Sequence, residues 1–356
     1  MIISDLRRKN KQFAITYFLM KSTKTQKSLK FLSTILKIWQ ITLITACFLF
    51  INLENSTAQI PKEWSSSEVI HPDCQLGEGA YWDHKRNCLW FVDIEKGFVQ
   101  WYFPKKKESG KFPCGMKIGT LVPSSKTDEL VLGLQDGIYK TNLQGKDKTL
   151  ITRPDLLNPK QRLNDGKCDP DGRLWVGSMN LDQSPKKAHL FRLDPTGKTE
   201  KILDSISISN GIAWTRDGKS LFYIDTPTRK VMAYDFNQKS GTISNPRVLV
   251  TIPDSLGWPD GMTLDRNNNL WIGMWGGYCV SHWSSKDGRY LGKVKVNAPN
   301  VTSCAFGGKN FDVLYITTAK QGLKPETLDK FPLSGSVFEA KVGVTGYQMP
   351  YWNPVK

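Results

Sequence analysis

Apolar and polar positions in this chain alternate in short runs of strand length rather than at helical spacing, and one kind of run keeps returning. A turn, then Leu or an aromatic residue, then β-branched residues appear in Cys88-Leu89-Trp90-Phe91-Val92-Asp93, Glu129-Leu130-Val131-Leu132-Gly133 and Arg173-Leu174-Trp175-Val176-Gly177. The same order recurs in Ser220-Leu221-Phe222-Tyr223-Ile224-Asp225, Asn269-Leu270-Trp271-Ile272-Gly273 and Val313-Leu314-Tyr315-Ile316-Thr317. Anchored on Trp90, Val131, Trp175, Phe222, Trp271 and Tyr315, the spacings are 41, 44, 47, 49 and 44 residues. Turn formers precede several anchors, as in Asp171-Gly172 and Asp217-Gly218, and a further strand pattern follows, as in Lys230-Val231-Met232-Ala233-Tyr234. A period of about 40 to 50 residues with about four strands per repeat is the arithmetic of a propeller blade. The pattern therefore predicts an all-β, six-bladed β-propeller. A pair of β-sandwiches does not account for even spacing through the midpoint, where no Pro/Gly/Ser-rich linker occurs.

The repeat does not reach the N-terminus. Residues 1–58 carry nine Lys or Arg, from Arg7 to Lys37, against Asp5 and Glu54. Residues 38–53 are apolar except for Gln40, Thr42, Thr45 and Asn52, and small residues follow at Ser56 and Ala58. A basic region, an apolar region and small residues at −3 and −1 make a secretory signal with cleavage expected after Ala58. The run of 16 residues falls short of the roughly 20 that a spanning helix needs. An uncleaved anchor through residues 38–53 is the alternative. The expected division is thus 1–58 for a signal peptide or signal anchor and 59–356 for the propeller, exported to the periplasm or secreted, or else membrane-anchored.

Charge takes its meaning from this division. The chain has 49 Lys and Arg, 33 Asp and Glu, and a formal net charge of +16. The leader holds +7 of it, and the remainder is dispersed without any block of five consecutive bases. Its densest run, Lys105-Lys106-Lys107, falls in an expected hairpin loop. A solvated surface explains dispersed charge better than a phosphate-binding groove does, so no nucleic-acid partner is expected, and a membrane only through an uncleaved leader. Of the body's cysteines, Cys74, Cys88, Cys114, Cys168, Cys279 and Cys304, the last three fall in expected strands, where buried thiols are the plainer reading. Export would permit disulfides, whose pairing spacing does not assign.

Candidate chemistry emerges on counting back from the anchors. Glu78-Gly79 and Asn210-Gly211 lie 12 and 11 residues before Trp90 and Phe222, and Asp260-Gly261 lies 11 and 10 before Trp271. Asn164-Asp165-Gly166 precedes Trp175 by 11, 10 and 9. In a propeller these equivalent places ring the central channel at the start of the innermost strands. Singly, Asn-Gly and Asp-Gly pairs are turn formers. Four at one phase of the repeat, one of them Glu, instead mark a convergent cluster of oxygen donors suited to Ca²⁺, Mg²⁺ or Mn²⁺. His71, His84, His189 and His282 show no metal-ligand spacing, and neither a G-x-S-x-G elbow nor a phosphate-binding glycine loop is present.

LGEGAYWD (76–83) with LWFVDI (89–94), RLNDGKCDPDGRLWVGSM (162–179), ISNGIAWTRDGKSLFYID (208–225), PDGMTLDRNNNLWIGMWGG (259–277) and VTSCAFGG (301–308) resemble, in order, the signature blocks of the SMP-30/gluconolactonase (regucalcin) family. The resemblance implies a six-bladed propeller with one axial divalent metal ion, Ca, Mg, Mn or Zn, held by Glu78, Asn210 and Asp260. It implies hydrolysis of a small sugar lactone such as gluconolactone, with Asp260 also exchanging protons and Arg162 and Asn164 contacting substrate. Family members of animal type carry a further substrate-contacting Glu after the block ending in Met179. Here residues 177–189 contain none, so sugar preference does not transfer. Two alternatives stand beside lactone hydrolysis by a monomer: a non-catalytic Ca-binding or ligand-binding propeller, and a metal-dependent hydrolase of another lactone or an organophosphate.

Overall fold

The computed structural model describes Lys21 and residues 36–42, 60–126, 128–155 and 158–354 of two units, Met1–Ile60 and Pro61–Lys356. In the first unit residues 36–42 are helical, with Leu36, Ile38, Trp39 and Ile41 exposed. Among the described residues no helix is long and apolar enough to cross a membrane. The expected cleavage site after Ala58 and most of the apolar run 38–53 lie outside them.

The second unit is a six-bladed β-propeller. Blade 1 is built from Gly77–Asp83, Cys88–Asp93, Phe98–Phe103 and Glu108–Pro113, joined as an antiparallel meander. Blades 2, 3 and 4 repeat that order and open on Ile118–Pro123, Gln161–Cys168 and Ser209–Trp214. Blade 5 opens on Trp258–Leu264 and carries a fifth strand, Lys62–Ser65, parallel to Tyr290–Lys295 at its outer edge. Blade 6 runs from Asn300–Gly307 through Val313–Ala319 to Val337–Ala340, and its outermost strand is Ser67–Ile70 from the start of the unit. The ring is therefore closed by hydrogen bonds between the two ends of the chain, which leaves no unpaired gap between first and last blades.

Every sequence anchor sits on the second strand of its blade, and where the anchor is Trp the reason is visible. The Asp169 carboxylate accepts the backbone N–H groups of Asp171 and Arg173 in the turn and the Trp175 indole N–H at 3.0 Å. Asp265 repeats this with Asn267, Asn269 and Trp271, and Asp83 with Lys85, Arg86 and Trp90. One buried carboxylate thus fixes the turn and the rotamer of the largest core residue together. Between blades the core is aromatic: Trp82 of blade 1 stacks on Tyr315 of blade 6 with ring centroids 5.4 Å apart, and Trp175 meets Trp214 edge-on at 5.6 Å. All six body cysteines are buried free thiols.

A C-terminal segment crosses the face at which the innermost strands end. Tyr347 donates its hydroxyl to the Trp214 carbonyl at 2.7 Å, and Gly346 N–H bonds the Phe311 carbonyl. Tyr81 donates to the carbonyls of Met349 and Pro350, Tyr351 to the Asp83 carboxylate at 2.7 Å, and Trp352 N–H to the Pro123 carbonyl. Asn353 N–H reaches the Gly172 carbonyl. With Arg266 N–H on the Thr345 carbonyl, residues 345–353 touch all six blades.

Candidate active site

Each innermost strand is irregular at the same place. Register shifts against the second strand occur between Glu78 and Tyr81, Ile118 and Thr120, Leu163 and Gly166, Asn210 and Ile212, Pro259 and Met262, and Val301 and Ser303. A bulge breaks the in-out alternation and re-aims side chains. Here it brings Glu78, Asn164, Asn210 and Asp260 to one end of the channel, as their repeat phase predicts. Gly79 adopts φ +62°, a left-handed conformation that residues with a Cβ resist. Gly211 is needed for a different reason: a Cβ there would lie 2.7 Å from the Asp260 carbonyl oxygen. Proximity of adjacent strands at the axis, more than special dihedrals, sets the second of these glycines.

Glu78, Arg162, Asn164, Asn210 and Asp260 are all buried and together line the floor of a cavity of about 730 Å³. The buried carboxyl groups of Glu78 and Asp260 are neighbours in that lining, where burial and then the charge of Glu78 raise the Asp260 pKa. Asn164 donates through Nδ2 to the Asn210 Oδ1 at 3.0 Å and to the Ser209 carbonyl at 2.7 Å. Asn210 in turn donates to the Thr226 hydroxyl at 2.8 Å, which donates to the Pro259 carbonyl at 2.8 Å. Arg162 donates from Nη1 to the Asn164 Oδ1 and to the Leu163 carbonyl. These bonds fix the orientation of both amides, with the Asn210 carbonyl oxygen turned toward the channel residue Asn164.

The electrostatics follow from burying like charges. Desolvation, and after it the charge of Asp165, pushes Glu78 up to about 7. Burial and then Glu78 hold the Asp260 carboxyl well above the usual carboxylate range. Burial also lowers Arg162 to about 10, opposed by Glu95, Glu78 and Asp260. Two buried carboxyls and an amide oxygen, with neither His nor Cys in the cavity lining, are a hard-oxygen donor set. That chemistry fits a divalent cation. Among the described residues no group of three or more His, Cys, Asp and Glu forms a metal cluster; of the three residues expected to hold an ion, Asn210 is an amide.

Several cavity residues carry no sequence signal. Glu95 and Lys117, from blades 1 and 2, form an ion pair in the wall. Thr226 lies in a one-turn 3₁₀ segment after blade 4's second strand, and Leu181, Trp258 and Trp275 stand around the opening. They lie on loops and strand ends, where the period of the repeat lapses. Asp165, part of the same sequence cluster, is also buried, but its Oδ1 accepts the Gly166 N–H and it does not line the cavity.

Fold and site together define a six-bladed propeller whose channel gathers two carboxyls, two amides and a guanidinium in one cavity. Residues 76–320 match the family described as SMP-30/Gluconolactonase/LRE-like region, and the chain belongs to that family. It is 36% identical over 273 residues to YvrE of Bacillus subtilis (strain 168), provisionally named a sugar lactone lactonase, covering 77% of this chain and 93% of that one. Regucalcin of Xenopus laevis is 32% identical over 284 residues, 78% of this chain and 95% of its own length. Among solved structures, a luciferin-regenerating enzyme superposes with TM-score 0.75 at 31% identity, over 83% of this chain and 98% of that chain.

Proposed function

We propose that this protein is a divalent-metal-dependent lactonase that opens a small lactone ring to the hydroxy acid. The observation that carries the reading is the pair of buried carboxyl groups, Glu78 and Asp260, in the lining of a cavity that also holds Arg162 and Asn164. Glu78, Asn210 and Asp260 would hold the ion. When bound, a divalent cation supplies Lewis acidity toward the lactone carbonyl and draws both carboxyls into their ionised form.

The remaining chemistry falls to the chain. The Asp260 carboxylate takes a proton from the attacking water as the new C–O bond forms. It returns that proton to the ring oxygen as the acyl C–O bond breaks. Arg162 faces the nascent carboxylate, which a guanidinium binds in two-point geometry. Asn164, locked by its bonds to Ser209 and Asn210, presents a fixed polar edge to the substrate. Thr226 accepts from the Asn210 Nδ2 and so fixes which end of that amide is its oxygen. The names of YvrE and of the matched family support this reading. The leader adds a location: export with removal of residues 1–58, read out by N-terminal sequencing of the mature protein.

The test is proton release, followed with a pH indicator, across sugar and simple lactones with Ca²⁺, Mg²⁺, Mn²⁺ and Zn²⁺ in turn. Metal-dependent hydrolysis of at least one lactone is expected. Metal-dependent thermal stabilisation without proton release from any of them points instead to a binding propeller.

A further inference from the structure

We infer that the preferred substrate is a lactone bearing an apolar substituent, an alkyl chain of several carbons, rather than a polyhydroxylated sugar lactone. This rests on the lactonase reading above and narrows it. Deep in the cavity several polar side chains are already engaged with one another. Lys117 pairs with Glu95, Arg162 donates to Asn164, and Asn164 donates to Asn210. Sugar hydroxyls distributed around a ring would have to displace those bonds, each of which leaves a buried group unpaired.

The opening has the opposite character. Leu181 is 43% exposed and Trp258 40% exposed, both lining the cavity, with Ile208 and Trp275 half-buried beside them. Large apolar side chains held open to water at the mouth of a cavity gain most when a ligand covers them. Trp258 is also held rigid. The Arg229 guanidinium sits 3.6 Å from the indole centroid, tied down by its bond to the Gly257 carbonyl at 2.6 Å and its ion pair with Asp254 at 3.2 Å. Arg229 does not line the cavity, so it backs the ring from outside and leaves the indole for the substrate. A reactive polar floor under a preformed apolar mouth fits a molecule with a lactone head and an apolar tail.

The experiment compares kcat/KM for δ-valerolactone, its alkyl-substituted homologues up to δ-decanolactone, and glucono-δ-lactone, using the purified metal-loaded protein and its Leu181→Glu and Trp258→Ala variants. In the wild type kcat/KM should rise about fourfold for each of the first added methylenes, the factor given by ~0.8 kcal/mol per buried CH₂. The alkyl lactones should then exceed glucono-δ-lactone. Each variant should lower the ratio of δ-decanolactone to δ-valerolactone by about tenfold, through KM rather than kcat. Leu181→Glu changes an exposed position and tests the idea should Trp258→Ala disturb the Arg229 stack. A flat dependence on chain length, or glucono-δ-lactone as the better substrate, overturns the inference and leaves the lactonase reading standing. Hydrolysis of no lactone overturns both.

Discussion

The side-chain carboxyls of Glu78 and Asp260, one from blade 1 and the other from blade 5, are buried neighbours in the lining of one cavity. Two desolvated acids side by side resist ionising together unless a counter-charge is present. Asp260→Asn preserves shape and removes a buried carboxyl, so the fold should survive. Without a carboxylate to take and return the proton, turnover of a responsive lactone should fall on the order of 10²- to 10⁴-fold. Circular dichroism checks the fold and the pH-indicator assay the rate; undiminished turnover removes Asp260 from proton transfer.

The same pair makes stability respond to metal. A cation that binds only the folded protein stabilises it by about 2.7 kcal/mol at a concentration 100 times its Kd. Treatment with a chelator should lower Tm and abolish lactone hydrolysis, and re-addition of the cognate cation should restore both. In Glu78→Gln or Asp260→Asn the added cation should move Tm far less. An equal metal-induced shift in wild type and both variants would place the ion elsewhere.

Gly211 offers a test of why the site needs glycine. A methyl group there meets the Asp260 carbonyl at 2.7 Å and Met262 at 3.0 Å, so blades 4 and 5 have to separate. Gly211→Ala should cost about 1 to 3 kcal/mol in urea unfolding, the range for overpacking a close contact. Because the displaced backbone carries Asp260, activity should fall with it. Full activity and unchanged unfolding would show that the strands give way freely.

The buried thiols allow a measurement that needs no assay of function. Burial pushes Cys74 and Cys304 up to about 12, and Cys114 and Cys279 up to about 11. Thiolate, the reactive form, is therefore scarce at pH 8 as well as inaccessible. The native propeller should leave all six body thiols unreacted toward a thiol-disulfide reagent on the minute scale and expose all six in denaturant. Rapid reaction of the native protein contradicts the packing described.

The repeat made the architecture legible because a propeller's periodicity lies in its inner strands. Trp90, Trp175 and Trp271 recur because each blade needs a large core residue, and the Asp that ties the turn to the indole recurs with it. Glu78, Asn164, Asn210 and Asp260 were legible for the same reason: bulges at equal phase deliver them to one point. Arg162 gained its role from the family blocks alone. Leu181, Trp258, Glu95 and Lys117 had no such signal, since loops around the mouth vary in length and share no register. The closing strand Ser67–Ile70 also escaped the pattern; with Val and Ile at its buried end it is too short to stand out, and only its pairing with Val337–Ala340 identifies it.

At the opposite face, the C-terminal segment behaves as a strap whose bonds reach all six blades. Tyr351 is its most consequential contact: its hydroxyl donates to Asp83, the buried carboxylate that also receives Arg86 and the Trp90 indole. Tyr351→Phe removes one bond to a charged acceptor and should cost on the order of 1.5 to 3 kcal/mol. Ending the chain after Thr345 also frees the Trp214 carbonyl and the Tyr81 hydroxyl from their partners, and should lower stability further. Since the strap lies at the far end of the channel from Glu78 and Asp260, the truncated protein should keep its lactone kcat at low temperature while its Tm drops. An unchanged Tm in the truncated chain would show that the blades hold their ring without the strap.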